Sequence, residues 1–163
     1  MGTGPQQDET QASGLLDAVG PAFSRLRRGA ALNAEKPIAR KDLSRSLVLG
    51  VTEEGSTREG EEVTVGVIAE RLSIDPSAAS RLVSDCIIEG YLLRTASQVD
   101  GRRTILQLTA AGRQMLTDFR RHQRSAYEHI TRDWPDHERL EFARLLIKYV
   151  DSLARLQTRP DEH

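Results

Sequence analysis

The sequence predicts a mainly α-helical fold with one small β-hairpin, arranged as a winged helix-turn-helix with further helices at both ends. Three observations predict it. Apolar residues recur at spacings of three and four through most of the chain, as on one face of a helix. Two helical stretches, 65–72 and 76–90, flank a short break at Ser73-Ile74-Asp75, which is the layout of a helix-turn-helix. Residues 91–109 then switch to β-branched and alternating runs around Asp100-Gly101, a strong two-residue hairpin signal. A hairpin in that position is a wing.

Residues 1–11, rich in Gly, Pro, Gln and Asp, read as a disordered tail. Residues 12–40 read as an N-terminal helix with Leu15, Leu16, Val19, Phe23, Leu26 and Ala30 on one face. Gly20-Pro21 should kink or restart that helix, and Pro37 should close it. A second short helix is expected over 41–53 with Leu43, Leu47 and Val48 inward. The acidic, glycine-bearing stretch 53–62 reads as a loop with no assignable role. Thr64 places a capping hydroxyl before VGVIAERL, in which Val67, Ile68 and Leu72 share a face. Asp75-Pro76 joins an N-cap acceptor to a proline at the first helical position, and Gly90 supplies a left-handed stop. Thr109 caps a long helix that Trp134-Pro135 breaks. A last helix over 136–156 carries Leu140, Leu145, Leu146, Tyr149, Val150, Leu153 and Leu156, with Phe142 at the edge of the stripe. The organisation is thus a winged domain over 41–109, C-terminal helices over 110–157, and a tail over 158–163.

Composition narrows the function classes. The single cysteine, Cys86, excludes an intrachain disulfide. No stretch approaches the ~20 apolar residues of a membrane span, and the N-terminus lacks the basic start and apolar run of a signal peptide, so a cytoplasmic location is expected. His122, His129, His137 and His163 include no pair at the i, i+4 spacing that suits two helical ligands, so neither metal nor cofactor is expected. No nucleophile motif and no glycine-rich phosphate loop is present, which argues against an enzyme. Arg120, Arg121, Arg124 and Arg132 read first as a solvated helix face, with phosphate contact or an anionic-ligand pocket as the sharper alternative.

The helix over 76–90 has the residue types that the major groove asks for. Ala79, Leu82, Val83, Cys86 and Ile87 form an anchoring face, while Ser77, Ser80, Arg81 and Ser84 form the other. Short side chains allow close approach, and Arg81 can offer two donors to a guanine edge. At the wing, Arg102 and Arg103 sit where they have little to pack against, and a guanidinium on a thin ribbon suits the minor groove. Asp100, two residues from Arg102, is placed to hold its fork. Arg94 and Arg113 suit either phosphate contact or surface salt bridges, and the residues leave this open. The formal net charge of −1 weighs against a nucleic-acid binder, yet residues 76–113 carry five arginines against Asp85, Glu89 and Asp100.

These segments resemble the multiple-antibiotic-resistance regulator (MarR) family. The resemblance runs through VTVGVIAERLSIDPSAASRLVSDCIIEGYLLR and DGRRTILQLTAAGR: Ile68-Ala69, the serine-rich helix Pro76 to Gly90, Asp100-Gly101-Arg102, and Leu108-Thr109 to Gly112. It implies a homodimer whose terminal helices entwine, through residues such as Leu15, Leu16, Val19, Phe23, Leu146, Tyr149, Val150 and Leu153. It also implies a repressor of duplex DNA carrying an inverted repeat, released by a small-molecule effector or oxidant. By the same resemblance Ser77, Ser80 and Arg81 read the major groove and Arg102 the minor groove. Cys86 stands where the family often has Leu and reads as a small buried hydrophobe, and the first helix lacks the cysteine of oxidant-sensing relatives. The terminal apolar stripes independently suit a second copy, since a winged domain of this size cannot cover them, with a monomer that packs them as an intramolecular bundle as the alternative. The alternative is a winged-helix protein-interaction module without DNA binding.

Overall fold

The computed structural model describes residues 5–29, 39–57 and 61–157. Within them the element order is α1 (Pro5–Gly29), α2 (Arg40–Thr57), α3 (Val65–Leu72), α4 (Pro76–Ile88), β1 (Leu92–Ala96), β2 (Thr104–Leu108), α5 (Ala110–Ile130) and α6 (Asp136–Gln157). The fold is mainly helical, with one antiparallel hairpin as the wing. By compactness the chain divides into two units, residues 1–123 and 124–163.

The core of the first unit gathers Val48, Leu49 and Val51 of α2, Ile68 and Ala69 of α3, and Ala79, Val83 and Cys86 of α4. Leu92 and Leu106 of the hairpin and Leu116 of α5 close it. On α4 the buried residues fall at spacings of four and three, which leaves the opposite stripe of that helix in solvent.

Local chemistry fixes the ends of these elements. The Thr64 hydroxyl accepts from the Val67 N–H at 3.3 Å and opens α3. Ser73 closes α3 in the left-handed conformation (φ 52°), with the Ile74 N–H donating to the Ala69 carbonyl at 3.0 Å. The Asp75 carboxylate accepts from the Ser77 and Ala78 N–H groups at 3.1 and 3.0 Å and opens α4 behind Pro76. Gly90 follows α4 at φ +77°, a conformation that glycine adopts without strain. Thr109 caps α5 by accepting from the Gly112 N–H at 3.0 Å.

The structure corrects several sequence expectations. Helix α1 begins at Pro5, inside the stretch 1–11 expected to be a tail, because proline at a first helical position lacks only an N–H that is unpaired there anyway. It also continues through Gly20-Pro21 without restarting, although Pro21 has no N–H to offer the preceding turn. On α2, Leu43 and Leu47 are exposed at 40% and 51%, and the inward face instead runs through Arg45, Val48, Leu49 and Thr52. The phase is set by Arg45, which ion pairs with α4 draw into the interior. Residues 53–57 belong to α2 and not to a loop. There Glu53 pairs with Arg120 and Glu54 lies 3.9 Å from Arg71, which also binds Glu61. Pro37, Ala30, His163, residues 1–4 and 58–60 and the tail 158–163 lie outside the described residues.

In the second unit, α5 ends at Ile130, a turn follows, and α6 begins after Pro135. Phe142, 44% exposed, packs against aromatic neighbours. Its ring stacks on Tyr127 (centroids 6.3 Å, planes 4° apart) and meets Trp134 edge-on at 5.5 Å. The Tyr127 hydroxyl donates to the Arg139 carbonyl, which ties α5 to α6. Buried Thr131 donates back to the Tyr127 carbonyl at 2.8 Å.

Candidate nucleic-acid interface

Helix α4 and the hairpin carry Ser77, Ser80, Arg81, Ser84, Arg94, Asp100, Arg102 and Arg103, and the structure leaves most of them at the surface. Ser77, Ser80 and Arg81 are exposed on α4, and Ser84 is half-buried further along. The Ser77 hydroxyl donates to Asp75, so it offers its lone pairs outward while its proton is engaged. Those contacts, first from the Ser77 hydroxyl and then from the Ala78 N–H, hold the Asp75 carboxyl below the usual carboxylate range.

The wing is built differently from a two-residue hairpin. Strands pair from Leu92↔Leu108 to Ala96↔Thr104, so residues 97–103 form the tip. Buried Ser97 organises that tip. Its hydroxyl accepts from the Val99 and Asp100 N–H groups at 3.0 and 2.9 Å and donates to Glu62 at 2.5 Å. The Ser97 N–H reaches the Arg103 carbonyl at 2.8 Å, and the Arg103 N–H reaches the Asp100 carbonyl at 2.8 Å. Asp-Gly therefore turns the chain at the end of a longer, side-chain-braced loop.

Asp100 does not hold the Arg102 guanidinium, as the sequence suggests it would. Its carboxylate accepts from the Arg102 backbone N–H at 3.1 Å, an Asx-type bond that shapes the turn and leaves the guanidinium outward. Arg102 and Arg103 are both exposed, and Arg103 lies 4.0 Å from Glu62. Arg94, opposite Leu106 in the hairpin, is exposed, and Arg113 donates to the Leu108 carbonyl at 2.9 Å.

The arginines differ in their partners. Among the described residues, Arg45, Arg71, Arg103, Arg120, Arg121, Arg124, Arg132, Arg139 and Arg144 each lie within an ion pair. The run Arg120, Arg121, Arg124, Arg132 is thereby a set of paired surface charges, with Glu53, Asp118, Glu128 and Asp133 as partners. Arg81, Arg94 and Arg102 have no ion-pair partner among the described residues. An exposed guanidinium without an acid keeps its charge available to a phosphate or a base edge.

One functional neighbour is not visible in the sequence. Arg45, 7% exposed, donates from Nε to Asp85 at 2.7 Å and from Nη2 to Glu89 at 2.5 Å. Its guanidinium also lies 5.8 Å from the Tyr91 ring centroid, and Lys41 adds a contact to Asp85 at 3.2 Å. The hydrogen bond to Arg45 is the main cause holding the Asp85 carboxyl below its ordinary range. Asp85 of α4 and Glu89 at its C-cap are thus both engaged from α2. The only hint in sequence is the spacing of four between Asp85 and Glu89, which puts both on one helix face.

Cys86 is fully buried and its thiol is pushed up to about 11, chiefly by desolvation, as suits a packing residue. No group of three or more His, Cys, Asp or Glu suited to a metal ion occurs among the described residues. None of the helices in those residues is long and apolar enough to cross a membrane.

The model of the MarR family matches residues 42–103. Among solved structures, a MarR family protein from Bacillus stearothermophilus is 18% identical, covers 93% of this chain and 99% of its own, and superposes with a TM-score of 0.60. BpsR of Bordetella bronchiseptica, described for regulation of its DNA binding by 6-hydroxynicotinic acid, is 18% identical over 81% of this chain and 98% of its own, with a TM-score of 0.56. MepR of S. aureus, solved with ethidium bromide, is 17% identical over 86% of this chain and 95% of its own, at 0.51. At these identities the likeness is one of fold. No curated protein matches the sequence.

Proposed function

We propose that the chain, whose residues 42–103 match the model of the MarR family, is a homodimeric repressor of an inverted-repeat DNA operator, released by a small-molecule effector. The family fold supports a DNA-binding transcription regulator. The observation that carries the finer reading is the contrast among arginines: Arg81, Arg94 and Arg102 on α4 and the wing are exposed and unpaired among the described residues, while Arg120, Arg121, Arg124, Arg139 and Arg144 on α5 and α6 are neutralised by neighbours. In this reading Arg81, with Ser77, Ser80 and Ser84, reads base edges in the major groove. Arg102 enters the minor groove, Asp100 shapes the turn that presents it, and Arg94 and Arg103 contact phosphates.

The homodimer is supported by uncovered apolar side chains on the terminal helices. Leu15 and Leu16 of α1 are 68% and 73% exposed, and Leu146, Tyr149, Val150 and Leu153 of α6 also face solvent in the single chain. Val19 is exposed and Phe23 half-buried. A second copy related by a two-fold axis would cover such a surface. It would present two α4 helices to half-sites about one helical turn apart. Effector control rests on the two relatives solved or described with small molecules, and its chemistry is set by the ligand that releases this chain.

Fluorescence anisotropy with duplex DNA from the intergenic region beside the gene tests the reading. A dimer touching ~6–10 phosphates should lose about 10³–10⁵ in affinity between 50 and 200 mM salt. Sedimentation should give twice the 18.2 kDa chain mass. A monomer that ignores every such duplex would refute it.

A further inference from the structure

Arg81 and Asp85 stand one helical turn apart on α4, at the i, i+4 spacing where opposite charges ordinarily pair. They do not pair. Asp85 gives one carboxylate oxygen to Arg45 Nε at 2.7 Å and the other to Lys41 Nζ at 3.2 Å. Both cations come from α2. Arg81 also acts on the Asp75 carboxylate, which is engaged by the Ser77 hydroxyl and the Ala78 N–H. Arg45 itself is held in place by three features: its own burial, the second hydrogen bond to Glu89, and the Tyr91 ring. Its fork is therefore pre-organised, whereas Arg81 would have to order an exposed, flexible side chain to compete for the same acid.

We propose that Arg45 is a positioning residue for DNA recognition: by sequestering Asp85, it keeps the Arg81 guanidinium free to engage DNA. This rests on the reading of α4 as the recognition helix. If Arg45 loses its charge, Asp85 keeps only the exposed Lys41 on one oxygen; the other oxygen turns along the helix to Arg81, and each DNA contact by Arg81 must first break that pair. The same fork spans Asp85 and Glu89, so it also fixes the rotation of α4 about its own axis.

The test compares the full-length chain with Arg45→Met and with Arg45→Met/Asp85→Asn, using anisotropy on the intergenic duplex and melting curves to establish that each is folded. Arg45→Met should bind about tenfold or more weaker, the scale of a lost arginine–base contact. The double variant should recover most of that loss, because an amide in place of the Asp85 carboxylate carries no charge with which to hold Arg81. A purely structural role weakens binding in an Arg81→Ala background as well, whereas on the proposed role Arg45→Met has no further effect once Arg81 is gone. Should Arg45→Met not fold, Arg45→Gln and Arg45→Gln/Asp85→Asn make the same comparison with a polar stem retained and the cation removed. Unchanged affinity in Arg45→Met, or equal weakness in the single and double variants, overturns the proposal. Failure of the unmodified chain to bind any such duplex overturns the DNA reading itself, and the role of Arg45 with it.

Discussion

Gly112→Ala probes the junction that sets the wing against the core. A Cβ at Gly112 would lie 2.2 Å from the Tyr91 carbonyl oxygen and 3.1 Å from Leu108 Cδ2. The first contact is far inside ordinary van der Waals distance, and its partner is backbone, which cannot swing aside. The same carbonyl accepts the Thr109 N–H at 3.1 Å, while the Thr109 hydroxyl donates to the Gly90 carbonyl at 2.7 Å. Relief therefore requires α5 to back away from the strand entry and stretch both bonds. Overpacking costs about 1–3 kcal/mol and a weakened hydrogen bond about 1 kcal/mol. Alanine recovers about 1 kcal/mol in helix propensity, leaving a net loss of about 2 kcal/mol. For a chain of this size that lowers Tm by roughly 4–8 °C. Thermal unfolding followed by circular dichroism reads it directly. Gly50→Ala is the control, because a Cβ there meets nothing within 4 Å. It should raise stability by about 0.5–1 kcal/mol, as helix propensity alone would. If Gly112→Ala melts at or above the unmodified chain, the close approach of α5 to Tyr91 is not as described.

Three further outcomes are expected. Asp75→Ala should lower Tm and steepen fraying at the start of α4 in hydrogen exchange; because the Asp75 pKa is depressed on folding, its contribution is present above the ordinary aspartate value of 3.8 and is lost as pH falls below it, so the gap between the two proteins should close in acid. Cys86 should resist iodoacetamide at neutral pH in the folded chain and react readily in urea; with its thiol raised from 9.0 to about 11, stability should fall as pH climbs between those values, and a fast-reacting native thiol would contradict its burial. Ser97→Ala should leave the melting of the helical core nearly intact but loosen the wing, seen as faster exchange of the Val99 and Asp100 amides, since their hydroxyl acceptor is gone.

What is legible in the sequence is what is encoded locally. The helix-turn-helix announces itself because its boundaries are written in adjacent residues: Thr64 before α3, Asp75-Pro76 before α4, Gly90 after it. Each acts on backbone groups a few positions away. The inward face of α2 is not legible, because its phase depends on Arg45, and the acids that draw this arginine inward lie 40 and 44 positions along the chain. The start of the 53–62 stretch resembles a loop for the same reason, since Glu53 and Glu54 meet Arg120 and Arg71 from other helices. Asp100-Gly101 does mark a turn, but the width of that turn is set by Ser97, whose partner Glu62 belongs to a different segment. On the candidate DNA face, exposure of Ser77, Ser80, Arg81 and Arg102 follows from amphipathic spacing and the hairpin tip. Which arginines are free of acids does not, because pairing is decided in three dimensions.

Hydroxyl-radical footprinting of the intergenic duplex, with the unmodified chain and with Arg102→Ala, addresses the account most directly. Two protected patches about one helical turn apart are expected, flanked by minor-groove protection that vanishes with Arg102→Ala while the major-groove patches weaken but persist. Protection that is absent, uniform along the DNA, or indifferent to the loss of Arg102 would contradict it.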